Sequence, residues 1–275
     1  MNPAWYARQS PVTDPRDRAF LLDAVSGPVA ALVAAIHGLF VHPLWADRHG
    51  LILTDSHRED LQLRFVHRMA GRLHDLDPRP LAAARPPERR LLGNCRDQSV
   101  FLCAWLRRRG VPARARCGFS TYFRPGRFED HWICEYWDGL RWVAVDPQLD
   151  ALQRDALGLA FDPLDLPPGQ FIDGATAWLM CREGRADPDH FGILDLQGLW
   201  FVRGNLVRDL AALNRAEVLP WDGWGLAAKA EPEVSARDLR LLDGVARTVA
   251  AGDRALYELY GQEELRVPVY LLEEA

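Results

Sequence analysis

Apolar positions change their spacing twice along the 275-residue chain. In the first ninety residues they recur at helical intervals. Asp14-Pro15 reads as an N-cap followed by proline at the first helical position. Pro28 to Leu39 reads as an alanine-rich helix. Ser56-His57-Arg58-Glu59 reads as a capping box, opening a helix whose Leu61, Leu63, Phe65, Val66 and Met69 continue to about Leu73. Asp75 to Glu88 is rich in proline and arginine and predicts a surface connection. The texture changes at Gly93. Asn94 caps a helix beginning at Cys95, with Val100, Phe101, Ala104, Trp105 and Leu106 on its apolar face, and Gly110 ends it. Strand-like runs follow at Ala113 to Phe123, His131 to Trp137 and Leu140 to Asp146. The last two flank Asp138-Gly139, a signal for a two-residue hairpin turn. Helical spacing returns at Pro168 to Glu183, Leu199 to Leu213, Ser235 to Ala250 and Arg254 to Tyr260. This order predicts an α+β fold rather than alternating α/β. We expect a helical region over 1–90, a core over 91–150, and a mainly helical region over 151–275 packed on the core as one compact unit.

Composition narrows the chemistry. Hydrophobic residues make up 48% and charged residues 26%, as in ordinary folded domains. A net charge of −5 argues against a general nucleic-acid binder, whose footprint is a basic patch. Of 33 basic side chains only Lys229 is lysine. No Gly-Lys-Ser/Thr exists for a phosphate-binding loop, and no early-strand lysine for a kinase. A Schiff-base enzyme would depend on Lys229, which lacks a supporting motif. The five cysteines, at 95, 103, 117, 134 and 181, are odd in number and have no Cys-x-x-Cys spacing, so neither a zinc ribbon nor a redox pair is expected. Residues 1–20 hold three prolines and many charges rather than a secretory signal. The most apolar stretch, Val29 to Val41, is too short to span a bilayer and contains His37. Reduced thiols in the cytoplasm are the expectation, with no membrane and no nucleic-acid partner. Six of the eight histidines lie between His37 and His74. They lack His-Glu-x-x-His or mixed Cys/His spacing, so no metal is expected.

Candidate chemistry concentrates between Gly93 and Pro147. A cysteine in the first turn of a helix meets unpaired N–H groups and the positive end of the dipole. A thiol so placed loses its proton more readily, and the thiolate is the nucleophile. The same N–H groups can hold an oxyanion. With Asp138 and Gly139 as the turn, Trp137 faces Leu140, and counting outward puts His131 opposite Asp146. An aspartate there can bind one imidazole nitrogen and leave the other for a thiol, as a Cys-His-Asp triad requires.

These residues resemble the transglutaminase-like superfamily, a papain-like group of cysteine enzymes. The matching set is Gly93-Asn94-Cys95, Gly110-Val111-Pro112-Ala113-Arg114, Gly118, His131-Trp132 with Glu135, Trp137-Asp138-Gly139, Trp142-Val143 and Asp146-Pro147. The similarity spans roughly Leu91 to Leu149. It implies a nucleophile helix packed on an antiparallel sheet, with Cys95 as nucleophile, His131 as general base and acid, and Asp146 as orienting carboxylate. Arg96 departs from the small residue or glycine of many members and bears on substrate contact. Trp132 is expected to pack beside the site. The late aromatic runs Leu199 to Asn205 and Leu219 to Gly225 read as packing on the core. A second reading has them wall the cleft, with Arg203, Asn205 and Trp221 meeting substrate. The implied activity is cysteine-dependent acyl transfer, foremost hydrolysis of an amide or peptide bond through a thioester acyl-enzyme. The alternatives are an amide-forming acyltransferase with a thioester or glutamine donor, and a non-catalytic binding module. The partner is then a peptide, protein or small amide or thioester substrate. This chemistry needs no cofactor, and no EF-hand-like acidic loop appears.

Overall fold

The computed structural model describes residues 2–273. In chain order its elements are α1 (Ala19–Asp23), α2 (Val29–Leu39), β1 (Phe40–Val41), α3 (Asp55–Asp60), α4 (Val66–Leu76), β2 (Leu91–Leu92), α5 (Cys95–Arg108), β3 (Ala113–Ser120), β4 (Phe128–Trp137), β5 (Trp142–Val145) and α6 (Ala151–Leu157). There follow β6 (Phe171–Asp173), α7 (Gly174–Arg182), β7 (Phe191–Ile193), β8 (Leu196–Gln197), α8 (Leu199–Leu213), α9 (Gly225–Ala228), α10 (Ala236–Ala250) and α11 (Leu256–Tyr260). The fold is α+β, as expected. It divides into two units, and strands β3 and β4 pass through both. One unit is Asn2–Arg114 with Ile133–Leu166; the other is Ala115–Trp132 with Pro167 onward.

The unit that begins at Asn2 is built around α5. Its Val100, Phe101, Leu102, Cys103, Ala104 and Trp105 are fully buried, and α2 packs against it. The Phe40 and Phe101 rings meet edge to face at 5.3 Å, as do Phe101 and Trp105 at 4.9 Å. Trp105 donates its indole N–H to the Leu22 carbonyl (3.1 Å), so the buried ring leaves no bare donor. Arg114 stacks over Trp142 at 4.1 Å and bonds Glu135 at 2.6 Å. The expected helix from Ser56 to Leu73 is instead two helices. Thr54, not Ser56, is the cap, closing its box with His57, and the chain breaks between α3 and α4. The stretch from Asp75 to Glu88 is not wholly a surface connection. Arg85 is buried and donates to the Asp77 and Arg79 carbonyls at 2.9 and 3.2 Å.

The other unit holds three strands missed in the sequence. The strand order is β6-β3-β4-β7-β8, with β6 antiparallel to β3 (Gly118↔Asp173) and β7 parallel to β4 (Phe128↔Phe191). A Cβ on Gly118 would lie 2.2 Å from the Ile172 carbonyl oxygen, so the β3–β6 approach requires glycine. Helices α7, α8 and α10 pack together over a core that includes Phe119, Trp178, Phe191, Leu206, Leu210, Leu242 and Val245. A Cβ on Gly174 would fall 2.6 Å from the Asn205 carbonyl oxygen, which is how α7 comes so close to α8. Beneath this layer lies a buried ion pair. Arg116 donates two bonds to Asp209, both of 2.9 Å, and Asp209 also accepts the Cys117 N–H at 3.0 Å. Bidentate geometry with a third donor is what a buried carboxylate needs. Burial still pushes the Asp209 carboxyl above its ordinary range, against the pull of Arg116.

Candidate active site

Cys95 is the first residue of α5. Its position follows from the parallel pair β1–β2, Phe40↔Leu91 and Val41↔Leu92. The Gly93 N–H continues this pairing to the Val41 carbonyl at 3.1 Å. A Cβ on Gly93 would lie 2.6 Å from the Phe40 ring, so only glycine lets the chain pass there. Asn94 then starts the helix. Its side-chain oxygen accepts the Asp97 N–H (3.2 Å), and the Asp97 carboxylate accepts the Asn94 N–H (3.0 Å). This is a reciprocal capping box. The expected cap, helix start and glycine end are all present, with Gly110 at φ +72°.

Arg96 lies in the interior. Its guanidinium donates to Asp97 at 3.0 Å and to the Arg64 carbonyl at 2.9 Å, and the residue is fully buried. It braces the helix start from behind. The Asp97 carboxyl is pushed up by burial and pulled back by Arg96. Cys95 itself is 6% exposed.

Asp146 follows β5 in the same unit and is fully buried. Its N–H donates to the Pro163 carbonyl at 2.8 Å, and its Oδ1 accepts the Gln148 N–H at 2.9 Å. The hairpin before it differs from expectation. The pairs are Trp137↔Trp142, Tyr136↔Val143, Glu135↔Ala144 and Cys134↔Val145. The pairing is displaced by two residues, and the ladder does not make His131 and Asp146 opposite partners. The cause is the Asp138 carboxylate, which accepts the N–H groups of both Leu140 (2.7 Å) and Arg141 (2.8 Å). The connection thereby becomes a four-residue loop. Because side chains alternate with period two, a shift of two keeps each hairpin residue on the face expected for it.

His131 belongs to the other unit and is buried on β4. Two rings of the β3–β4 connection stand edge-on to its imidazole, Phe123 at 5.1 Å and Tyr122 at 6.0 Å. Neither was singled out in the sequence, where the only signal is their adjacency in Thr121-Tyr122-Phe123. Trp132 is fully buried. Asp130 is held from α8: the Asn205 side-chain amide donates to it at 2.7 Å and to the Gly118 carbonyl at 3.0 Å. Burial pushes the Asp130 carboxyl up, and the Asn205 bond opposes it. Asn205 is thus buried between strands. Arg203 is buried and donates to the Lys229 carbonyl. Trp221 is 49% exposed. Of the late residues expected to meet substrate, Arg203 and Asn205 make internal bonds that favour the packing reading of these runs.

The remaining thiols differ from Cys95 in setting. Cys103, Cys117 and Cys134 are fully buried. Cys103 and Cys134 place their sulfurs 3.4 Å apart, and burial raises the Cys134 thiol well above its ordinary value. Burial pushes Cys181 up to about 11. No helix among the described residues is long and apolar enough to cross a membrane.

Residues 72–147 match the family model of the transglutaminase-like superfamily, so this segment is a transglutaminase-like domain within a mixed α and β chain. The match begins within α4, earlier than the resemblance at Leu91 suggested, and ends at Pro147. Members of the superfamily are generally cysteine enzymes, and the match supports cysteine-dependent acyl-transfer or protease-like chemistry. No curated protein and no solved structure matches the chain.

Proposed function

We propose that Cys95, His131 and Asp146 act as a Cys-His-Asp triad, and that the protein hydrolyses an amide or peptide bond through a thioester acyl-enzyme. The observation that carries this reading is the place of Cys95: first residue of a capped 14-residue helix, within the segment matched by the family model. There the helix dipole and terminal N–H groups favour a thiolate and, later, an oxyanion. The Cys95 sulfur attacks the carbonyl carbon and a C–S bond forms. His131, oriented by Asp146, gives a proton to the departing amine as the C–N bond breaks. Water then attacks the thioester, losing its proton to His131, and the carboxylic acid leaves as the thiolate returns. Water is the acceptor we favour because no separate amine-recognition motif is visible. The substrate is then a peptide, a protein or a small amide or thioester.

The test is covalent labelling by iodoacetamide at mildly acidic pH. The wild type labels at Cys95, and Cys95→Ala abolishes labelling. Labelling of another cysteine as fast as Cys95 in the wild type overturns the activated-nucleophile reading.

A further inference from the structure

We infer that Asn94 is a further catalytic residue, whose side-chain Nδ2 donates a hydrogen bond to the oxyanion formed when Cys95 attacks a carbonyl; this rests on the reading of Cys95 as nucleophile. Asn94 directly precedes Cys95 and lies in the same unit. It caps the 14-residue helix α5, and the cap uses one arm of its side chain: Oδ1 accepts the Asp97 N–H at 3.2 Å. The other arm, Nδ2, is buried and has no hydrogen-bond partner among the described residues. A carboxamide nitrogen brings two N–H donors, and the cap employs neither. Buried polar groups are ordinarily paired, so a bare pair of donors at a helix mouth asks for a use. Capping does not supply one, because aspartate, serine or threonine would offer the same oxygen without them.

The amide is also held still. The Asn94 N–H donates to Asp97 at 3.0 Å, and the Asn94 carbonyl accepts the Gln98 N–H at 3.2 Å. Backbone and Oδ1 are thus fixed on the first turn of α5, and Nδ2, in the same planar group, is fixed with them. A donor set in place and kept from water needs no reorganisation when charge appears. Asn94 is 7% exposed and Cys95 6%. Donor and nucleophile are equally recessed, so a carbonyl drawn in to the sulfur is drawn in to Asn94 as well. As the C–S bond forms, the π pair of the carbonyl moves onto its oxygen. Nδ2–H and the positive end of α5 stabilise that charge. When the pair returns to carbon the leaving group departs, and the amide is left unchanged.

The experiment compares two reactions of Cys95 in the full chain at one mildly acidic pH, each corrected with the Cys95→Ala protein. p-Nitrophenyl acetate acylates the sulfur through an oxyanion and releases p-nitrophenolate. Iodoacetamide alkylates it by displacing iodide from a saturated carbon, and no oxyanion forms. Both rates scale with the same thiolate, so their ratio isolates the oxyanion. Asn94→Ser keeps a capping oxygen and removes Nδ2. It should lower the ratio by about a hundredfold, with alkylation and melting temperature near wild type. Asn94→Asp also keeps the capping oxygen without the donor, and serves if Asn94→Ser does not fold. An unchanged ratio in the folded variant overturns the inference. Acylation and alkylation falling together overturn it too, since they reveal a role in the cap alone. A wild-type ratio no higher than that of N-acetylcysteine overturns it without any variant. A wild type whose Cys95 is not alkylated at this pH overturns the nucleophile reading and the inference with it.

Discussion

Single carboxyls in this protein are moved from their ordinary range by what surrounds them, Asp209 upward and Asp238 downward. Asp209 is buried, yet Arg116 and the Cys117 N–H give it three donors. Removing one partner of such a pair leaves an uncompensated buried charge. We expect Asp209→Ala to cost about 3–5 kcal/mol in urea unfolding. At Asp238 the hydrogen bonds win over burial: Lys229 and Ser235 together pull its carboxyl down to about 2. The unfolded value is about 3.9. A depressed carboxyl contributes stability that is fully present above the unfolded value and lost as pH falls toward the folded one. Urea midpoints of wild type and Lys229→Met should therefore differ at pH 5 and converge as pH approaches about 2. A constant difference across that window would remove Asp238 ionisation as the cause.

At the scale of elements, the start of α5 was legible and the hairpin register was not. Gly93, Asn94, Cys95 and Gly110 lie within a few residues of the ends they define, so capping chemistry can be read from adjacent letters. Asn94→Ala should destabilise the protein by about 1 kcal/mol and Asn94→Asp by less, as denaturation would show. Asp138-Gly139 supports two turns with the same letters. The choice fell to a carboxylate that binds two N–H groups, and nothing in the flanking periodicity reports that. Strands β6, β7 and β8 are two or three residues long, too short for alternation to register. They exist because β3, β4 and the packed helices supply their partners. Gly118→Ala should pry β3 from β6, since its Cβ would meet the Ile172 carbonyl. A melting temperature close to wild type would contradict that.

For the molecule as a whole, one lysine among 33 basic side chains has a chemical consequence. Lys229 is bonded to Asp238 at 2.7 Å. If the acyl-enzyme passed its acyl group to lysine amines, this chain would offer itself almost none. Incubation with a glutamine donor should leave its intact mass free of self-cross-linked species. The division into two units has a different consequence, which concerns synthesis. Neither unit is a continuous stretch: the one that begins at Asn2 is interrupted after Arg114 and resumes only at Ile133. As the ribosome releases the chain from its N-terminus, residues 2–114 emerge with β5, α6 and the Asp146 loop still unmade. That unit has to wait until Leu166 is outside the exit tunnel, although most of its residues were translated long before. Protease resistance of stalled nascent chains should therefore appear only after Leu166 has cleared the tunnel, and not when Arg114 does.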